Sequence, residues 1–181
     1  MILSDSELVE MLREPRTRRE GFAVLVKQYS EKLYWKVRRI VLSHEDANDV
    51  LQNVFIKVWS NLQNFQGKSS LSTWLYRIAV NESLDFLRKQ KLLDRVSADE
   101  DVSVASRLMS DEYFDGDEVQ ARLQEAVARL PEVQRTVFNL KYFEEMKYSE
   151  MSQILNTSEG ALKASYHLAV KKITEYLHLF D

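Results

Sequence analysis

Three sets of side chains in this sequence have types and spacings suited to recognition chemistry. The first is Trp74, Arg77, Asn81 and Arg88, which fall on one arc at about 100° per residue, with Asp85 beside them. An aromatic face stacks on an unpaired base, and arginine and asparagine hydrogen-bond phosphates or base edges. A tryptophan on the polar side of an amphipathic helix, next to such donors, is unusual for plain surface. The second set is Gly160, Ala164, His167 and Lys171, at steps of four, three and four, flanked by Lys163 and Leu168. Small residues near a helix N-terminus and lysines along its outer face allow entry into a DNA major groove. Ordinary helical hairpins share this pattern, so DNA reading and plain packing both fit it. The third set, Asp49, Gln52, Asn53 and Lys57, projects from one side of a helix, and by residue type alone it reads as a solvated face.

Enzyme chemistry is not expected. No nucleophile, base and oxyanion grouping and no glycine-rich phosphate loop occurs, so neither catalytic nor cofactor-binding residues are assigned. The chain has no cysteine. Its three histidines, His44, His167 and His178, are too scattered to suggest a metal site.

The elements that must hold these residues read as helices. The chain has 181 residues, 45% hydrophobic and 29% charged, with only 4 glycines and 2 prolines, too few for the many turns of a sandwich or barrel. An all-α protein of two small domains is expected. In residues 1–93, Leu8, Leu12, Phe22, Leu25, Val26, Tyr29, Leu33, Val37, Ile40 and Val41 recur mostly three and four apart, the mark of helices with one buried stripe. His44-Glu45-Asp46 opens the next helix with acids in its first turn. Ala47, Val50, Leu51, Val54, Phe55, Val58 and Leu62 form its inner face, and Phe55 and Trp59 read as core. A polar loop, QNFQGKSSLSTW, precedes a long helix capped by Ser72 or Thr73, with Leu75, Ala79, Val80, Phe86 and Leu87 inward.

Residues 119–181 hold a second domain, whose first helix begins at about Glu118. Pro131 starts the next helix, with Val133, Val137, Phe138, Leu140 and Tyr142 on its apolar side. The run from Lys147 to Ile173 has the layout of a helix-turn-helix. Ser149 caps a short helix to about Leu155, Asn156-Thr157-Ser158 turns, and a second helix starts near Glu159 with Leu162, Tyr166, Ala169, Val170, Ile173 and Leu177 inward.

Charge divides the chain in the same way. Residues 1–93 carry a net +4, residues 94–118 a net −7 and residues 119–181 a net 0, so the overall −3 reports the acidic linker rather than the folded parts. No run approaches a membrane span, and Met1 to Leu12 carries acids where a secretory signal carries lysines; a soluble, cytoplasmic protein is expected.

Two segments together carry a resemblance. The run Asp46 to Lys91, with Asp49, Gln52, Phe55 and Trp59 in D-x-x-Q-x-x-F-x-x-x-W spacing and then SSLSTWLYRIA at Ser69 to Ala79, closely resembles the core-binding and promoter-melting segment of sigma-70 family factors. The run Leu130 to Ile173 resembles their C-terminal helix-turn-helix. With these two domains and a short connector, the chain is similar over nearly its whole length to an extracytoplasmic-function (ECF) sigma factor. The resemblance implies a sigma-2-like bundle and a sigma-4-like helix-turn-helix in a dissociable subunit of bacterial RNA polymerase. Such a subunit directs core RNA polymerase to promoter DNA and starts its opening.

Site residues follow by the same resemblance. Asp49, Gln52 and Asn53 would dock on core polymerase, with Ile56 supplying burial; Asn53 stands where the family often has glutamate, which removes one acidic contact. Asn64, Phe65, Lys68, Ser69 and Ser70 would form a pocket for a base flipped from the melted minus-10 strand, with Trp74, Arg77 and Asn81 beside it. Gly160, Lys163, Ala164, His167 and Lys171 would read the minus-35 duplex, Lys163 foremost. The recognition helix is poorer in arginine than is usual in the family, so fewer charge contacts and a shallow salt dependence are expected; exposed Leu168 also suits a protein contact. The linker's −7 charge fits either a nucleic-acid mimic inside polymerase or a solubilising tether. Neutralising Asp99, Glu100, Asp101, Asp111 and Asp115 and measuring abortive and full-length transcripts separates the two. Such factors are typically held by an anti-sigma protein, often membrane-anchored.

Two other readings compete. A conventional helix-turn-helix regulator binds its operator without polymerase. A helical adaptor with no nucleic-acid role predicts that changing Trp74, Arg77 and Lys163 leaves transcription untouched.

Overall fold

A computed structural model describes residues 3–93 and 116–180. Residues 94–115 of the acidic linker, including the five carboxylates named above, lie outside the described residues. The described residues form helices and short helical turns, with no strand among them, and the chain divides into two compact units, Met1–Leu92 and Leu93–Asp181.

In the first unit, helix α1 spans Asp5–Arg13. Ser4 starts it through a reciprocal cap: its Oγ accepts from the Glu7 N–H at 3.3 Å, and its own N–H donates to the Glu7 carboxylate at 2.8 Å. Helix α2, Arg18–Val41, is the long axis of the unit. Leu8 and Leu12 bury α1 against it, the Tyr29 hydroxyl donates to Asp5 Oδ1 at 2.5 Å, and Gln28 bonds both the N–H and the carbonyl of Leu3. Burial and the neighbouring Asp5 carboxylate push the Tyr29 phenol well above its ordinary pKa, which keeps it a donor.

Gly21 is where α1 and α2 meet most closely. A Cβ there would stand 2.8 Å from Met11 Cβ and 3.3 Å from the Met11 carbonyl carbon. Gly21→Ala gains about 1 kcal/mol of helix propensity and meets an overpacking cost of about 1–3 kcal/mol. The variant is therefore expected to be less stable than the parent, read as a lower thermal midpoint; an equal or higher midpoint would show that α1 yields freely.

Leu42 ends α2 in the left-handed region at φ 69, and the buried Arg38 guanidinium donates to its carbonyl. Helix α3, His44–Asn61, follows, capped by Ser43. Its inner line is Ala47, Val50, Val54 and Val58, all at most 1% exposed, whereas Leu51 and Phe55 are half-buried. Trp59 departs from the core assignment: it is 42% exposed. It sits one residue, about 100°, past the buried Val58, so its ring lies on the helix flank, 5.0 Å edge-on to Phe22.

A 3-10 turn, Leu62–Asn64, and a polar loop lead to helix α4, Leu71–Leu93. Ser70 starts this helix rather than Ser72 or Thr73: its Oγ accepts from the Thr73 N–H at 3.1 Å and its carbonyl from the Trp74 N–H at 3.1 Å. Buried Leu71 belongs in the first turn, which moves the cap back to the residue before it. Leu75, Ala79, Val80, Ser83 and Leu87 are buried, and Phe86 is half-buried.

Lys36 of α2 stands over the Tyr76 ring of α4, 3.9 Å from its centroid. Burial, with Arg39 and Lys32 adding like charge, lowers its ammonium to about 8. Between pH 8 and 10.5 the unfolded chain therefore holds more protons at this position than the folded one, so its contribution to stability rises with pH across that window. Lys36→Met is expected to be more stable than the parent below pH 8, with the gap closing toward pH 10.5, as read by denaturant midpoints at both ends.

The second unit begins at Asp117, which caps helix α5, Glu118–Ala128, by accepting from the Gln120 N–H at 2.9 Å. Helix α6, Glu132–Phe138, starts after Pro131 and runs into a π-helical turn, Asn139–Phe143. That wider turn shifts the register: Val137, Phe138 and Leu140 are buried, but Tyr142 is 52% exposed, stacked on Phe138 at 5.0 Å. Val133, in the first turn of α6, is 64% exposed, so neither it nor Tyr142 joins the core. Helices α7, Tyr148–Leu155, and α8, Glu159–Leu177, form the helix-turn-helix. Ser149 lies inside the first turn of α7 instead of capping it; there the Glu150 carboxylate accepts from the Lys147 N–H at 3.2 Å.

Asn156 makes the corner at φ 49, a conformation asparagine tolerates, and the Ser158 Oγ caps α8 at the Ala161 N–H. Met151, Ile154 and Leu162 are buried at this corner, while Ala169 and Ile173 of α8 pack with Ala126, Val127, Leu130 and Phe138. Val170 is exposed rather than inward.

Candidate nucleic-acid interface

Each unit presents its own candidate surface. On the first, the outer face of α3 places Asp49, Gln52 and Asn53 together, all exposed, in the two turns before Ile56, which is 58% exposed. An exposed apolar residue with polar groups on one side, and exposed Trp59 three residues on, has the make-up of a contact patch. Lys57 does not join them. It turns to Glu82 of α4 in an ion pair that ties the two helices together one residue from Asn81.

The 62–70 loop and the start of α4 form the second feature. Asn64, Lys68, Ser69 and Ser70 are exposed, and Phe65 is half-buried with its ring 5.0 Å from that of Trp74, tilted by 44°. Arg77 and Asn81, one and two turns beyond Trp74, are exposed on the same side. The loop thus brings a pair of aromatic faces beside a cation and an amide, the parts needed to stack and hydrogen-bond an unpaired base. Ser70 serves first as the helix cap, with its Oγ 3.0 Å from Ser72 Oγ and 2.8 Å from Thr73 Oγ1. Gly67 turns the loop at φ 70, and the Arg13 guanidinium of α1 reaches within 3.3 Å of where a Cβ on it would stand. Arg13 is therefore a further cation beside this loop. Fifty-odd residues of intervening chain hid it from any local pattern.

On the second unit, Gly160, Lys163, Ala164, His167 and Lys171 are all exposed along one stripe of α8. Gly160 has open space where a Cβ would go, so the fold does not require a glycine there. Lys163 extends over the Tyr148 ring of α7 at 5.6 Å, a ring that Lys141 also approaches at 5.0 Å. Burial raises the Tyr148 phenol above its ordinary pKa, so it remains a neutral platform for the two cations. Tyr148 was not singled out from sequence because its partner on α8 lies beyond a turn whose geometry local spacing does not specify. Lys171 lies 3.9 Å from Glu175 in an exposed pair worth little to stability.

The first unit thus carries an aromatic and amide surface, and the second a helix-turn-helix. The family model for sigma-70 region 2 matches residues 25–92, and that for sigma-70 region 4 matches residues 120–173. The ECF RNA polymerase sigma factor SigW of Bacillus subtilis is 33% identical, over 82% of this chain and 84% of its own length. The ECF RNA polymerase sigma-E factor of Escherichia coli K12 is 30% identical, over 90% of this chain and 88% of its own. The chain belongs to the sigma-70 family, in its ECF group.

Solved structures agree on the fold. The sigma factor RpoE of Bartonella quintana, in complex with the anti-sigma factor NepR, superposes with a TM-score of 0.71 at 20% identity, covering 88% of this chain and 98% of RpoE. CnrH, in complex with the cytosolic domain of CnrY, gives 0.66 at 20% identity, covering 98% of this chain and 96% of CnrH. Among the described residues, no helix is long and apolar enough to cross a membrane.

Proposed function

We propose that this chain is a dissociable initiation subunit that loads onto core RNA polymerase through α3, reads the minus-35 duplex through α8, and holds an unpaired minus-10 base at the 62–81 surface. It initiates transcription without catalysing a reaction itself. In this reading residues 1–93 form the polymerase-binding and melting domain, residues 94–118 the connector and residues 119–181 the duplex-reading domain. It acts in the cytoplasm, where polymerase and promoter DNA are, and an anti-sigma protein is its expected regulator; both solved relatives described above are bound to proteins of that kind or to a cytosolic partner domain.

The observation that carries this reading is the Phe65 and Trp74 pair, 5.0 Å apart beside exposed Arg77 and Asn81. A regulator that reads duplex DNA through its helix-turn-helix has no need of a second, aromatic surface suited to unstacked bases. Unpairing costs a few kcal/mol per base, and stacking of about 1–3 kcal/mol plus edge hydrogen bonds offsets it. The test is reconstitution: the chain is added to core RNA polymerase, and promoter-specific initiation and strand opening are measured. Failure to bind core polymerase, or tight operator binding in its absence, overturns the proposal in favour of a conventional regulator.

A further inference from the structure

Leu168 is 46% exposed on the outer side of α8. Residues four apart on a helix are surface neighbours, so Leu168 and exposed Ala164 form one apolar strip. The fold does not require a leucine there, because Leu162, Ala169 and Ile173 supply the buried side of α8. Around the strip lysines outnumber carboxylates: Glu175, one turn beyond Lys171 and 3.9 Å from it, is the acid at its C-terminal end. By helical position Lys171 lies on one side of Leu168 and Lys172 on the other, both exposed, while Gly160 and Ala161 keep the first turn free of bulk.

An apolar strip rimmed by cations suits the floor of a major groove between two phosphate rails. The apolar group a base pair presents there is the thymine C5-methyl. A protein partner would serve the leucine equally well, but the lysines on either side match the charge of DNA. We propose that Leu168, together with Ala164, reads thymine methyl groups in the minus-35 duplex and is a specificity-determining residue of this chain. The inference rests on the promoter-reading function proposed above.

The test uses holoenzyme assembled from core RNA polymerase and the full chain. Minus-35 duplexes are selected from a randomised library, and each thymine of the selected duplex is replaced in turn by deoxyuridine, which removes the methyl and leaves base pairing intact. At one or more positions the substitution is expected to weaken parent holoenzyme about fourfold, the worth of one buried methyl. At one or more of those positions holoenzyme carrying Leu168→Ala is expected to bind the thymine and deoxyuridine duplexes alike. The exposed position leaves folding intact, and an unchanged melting midpoint checks this. The inference is overturned by a selected element without thymine, by indifference of the parent to every deoxyuridine, or by equal sensitivity in Leu168→Ala. An equal loss on both duplexes, marking a protein contact, also overturns it. If no duplex is selected at all, promoter reading itself falls, which separates that failure from failure of the methyl contact.

Discussion

Ile56→Asp is expected to weaken binding to core RNA polymerase about 100-fold, measured by fluorescence titration of labelled chain with core enzyme. Ile56 is an exposed apolar residue of the α3 outer face, with Asp49, Gln52 and Asn53 in the two turns before it. Central, fully desolvated positions carry most of an interface's energy, at about 2 kcal/mol or more each, and the substitution also buries an unpaired carboxylate. Together these give about 2–3 kcal/mol, a factor of about 30–150. Asp49→Ala and Gln52→Ala are expected to do less and to act through association rate and salt dependence, because rim groups stay partly solvated. Since Ile56 is 58% exposed, the folded chain should melt at its usual temperature. Unchanged affinity of Ile56→Asp for core polymerase would remove α3 from the interface.

The second large effect is expected at Trp74. Trp74→Ala removes one of the two rings that face each other across 5.0 Å at the start of α4. Loss of a base-stacking surface costs about 1–3 kcal/mol, so the population of open promoter complexes should fall about 5- to 150-fold. Permanganate reactivity of unpaired thymines reads that population directly. Closed-complex binding and minus-35 recognition should hardly change, because α7 and α8 belong to the other unit. Trp74→Phe is expected to retain most opening, since an aromatic face remains to pack on Phe65. A premelted, bubble-containing promoter should rescue Trp74→Ala in part. Equal opening by the alanine variant and the parent would show that the ring is a structural packing group.

Helix existence was readable from residue order because apolar spacing is a local property. Leu25, Leu33, Val37 and Ile40 repeat at helical steps and are buried, and the α3 line of Ala47, Val50, Val54 and Val58 behaves in the same way. The outer stripe of α8 was equally readable, since the residues opposite its buried Leu162, Ala169 and Ile173 must face outward whatever packs beneath them. Edges were not. Trp59 and Val170 sit on helix flanks, where exposure depends on the neighbour's shape, and the π-helical turn moved Tyr142 out of register without any glycine or proline to announce it. Ser72 and Thr73 both suit a cap by residue type, and only the burial of Leu71 moves the start of α4 back to Ser70.

From residue order alone come the all-helical class, the division into two units with an acidic stretch between them, and the residue types on each outer face, because periodicity, composition and charge are local sums. Tertiary packing supplies what joins distant parts of the chain. It sets the Phe65 ring against Trp74, brings Arg13 to the 62–70 loop, draws Lys57 away to Glu82 and lays Lys163 over Tyr148. The reason is physical: hydrogen bonds and hydrophobic periodicity within a helix act over about four residues, whereas these contacts depend on how helices are rotated and inclined against one another.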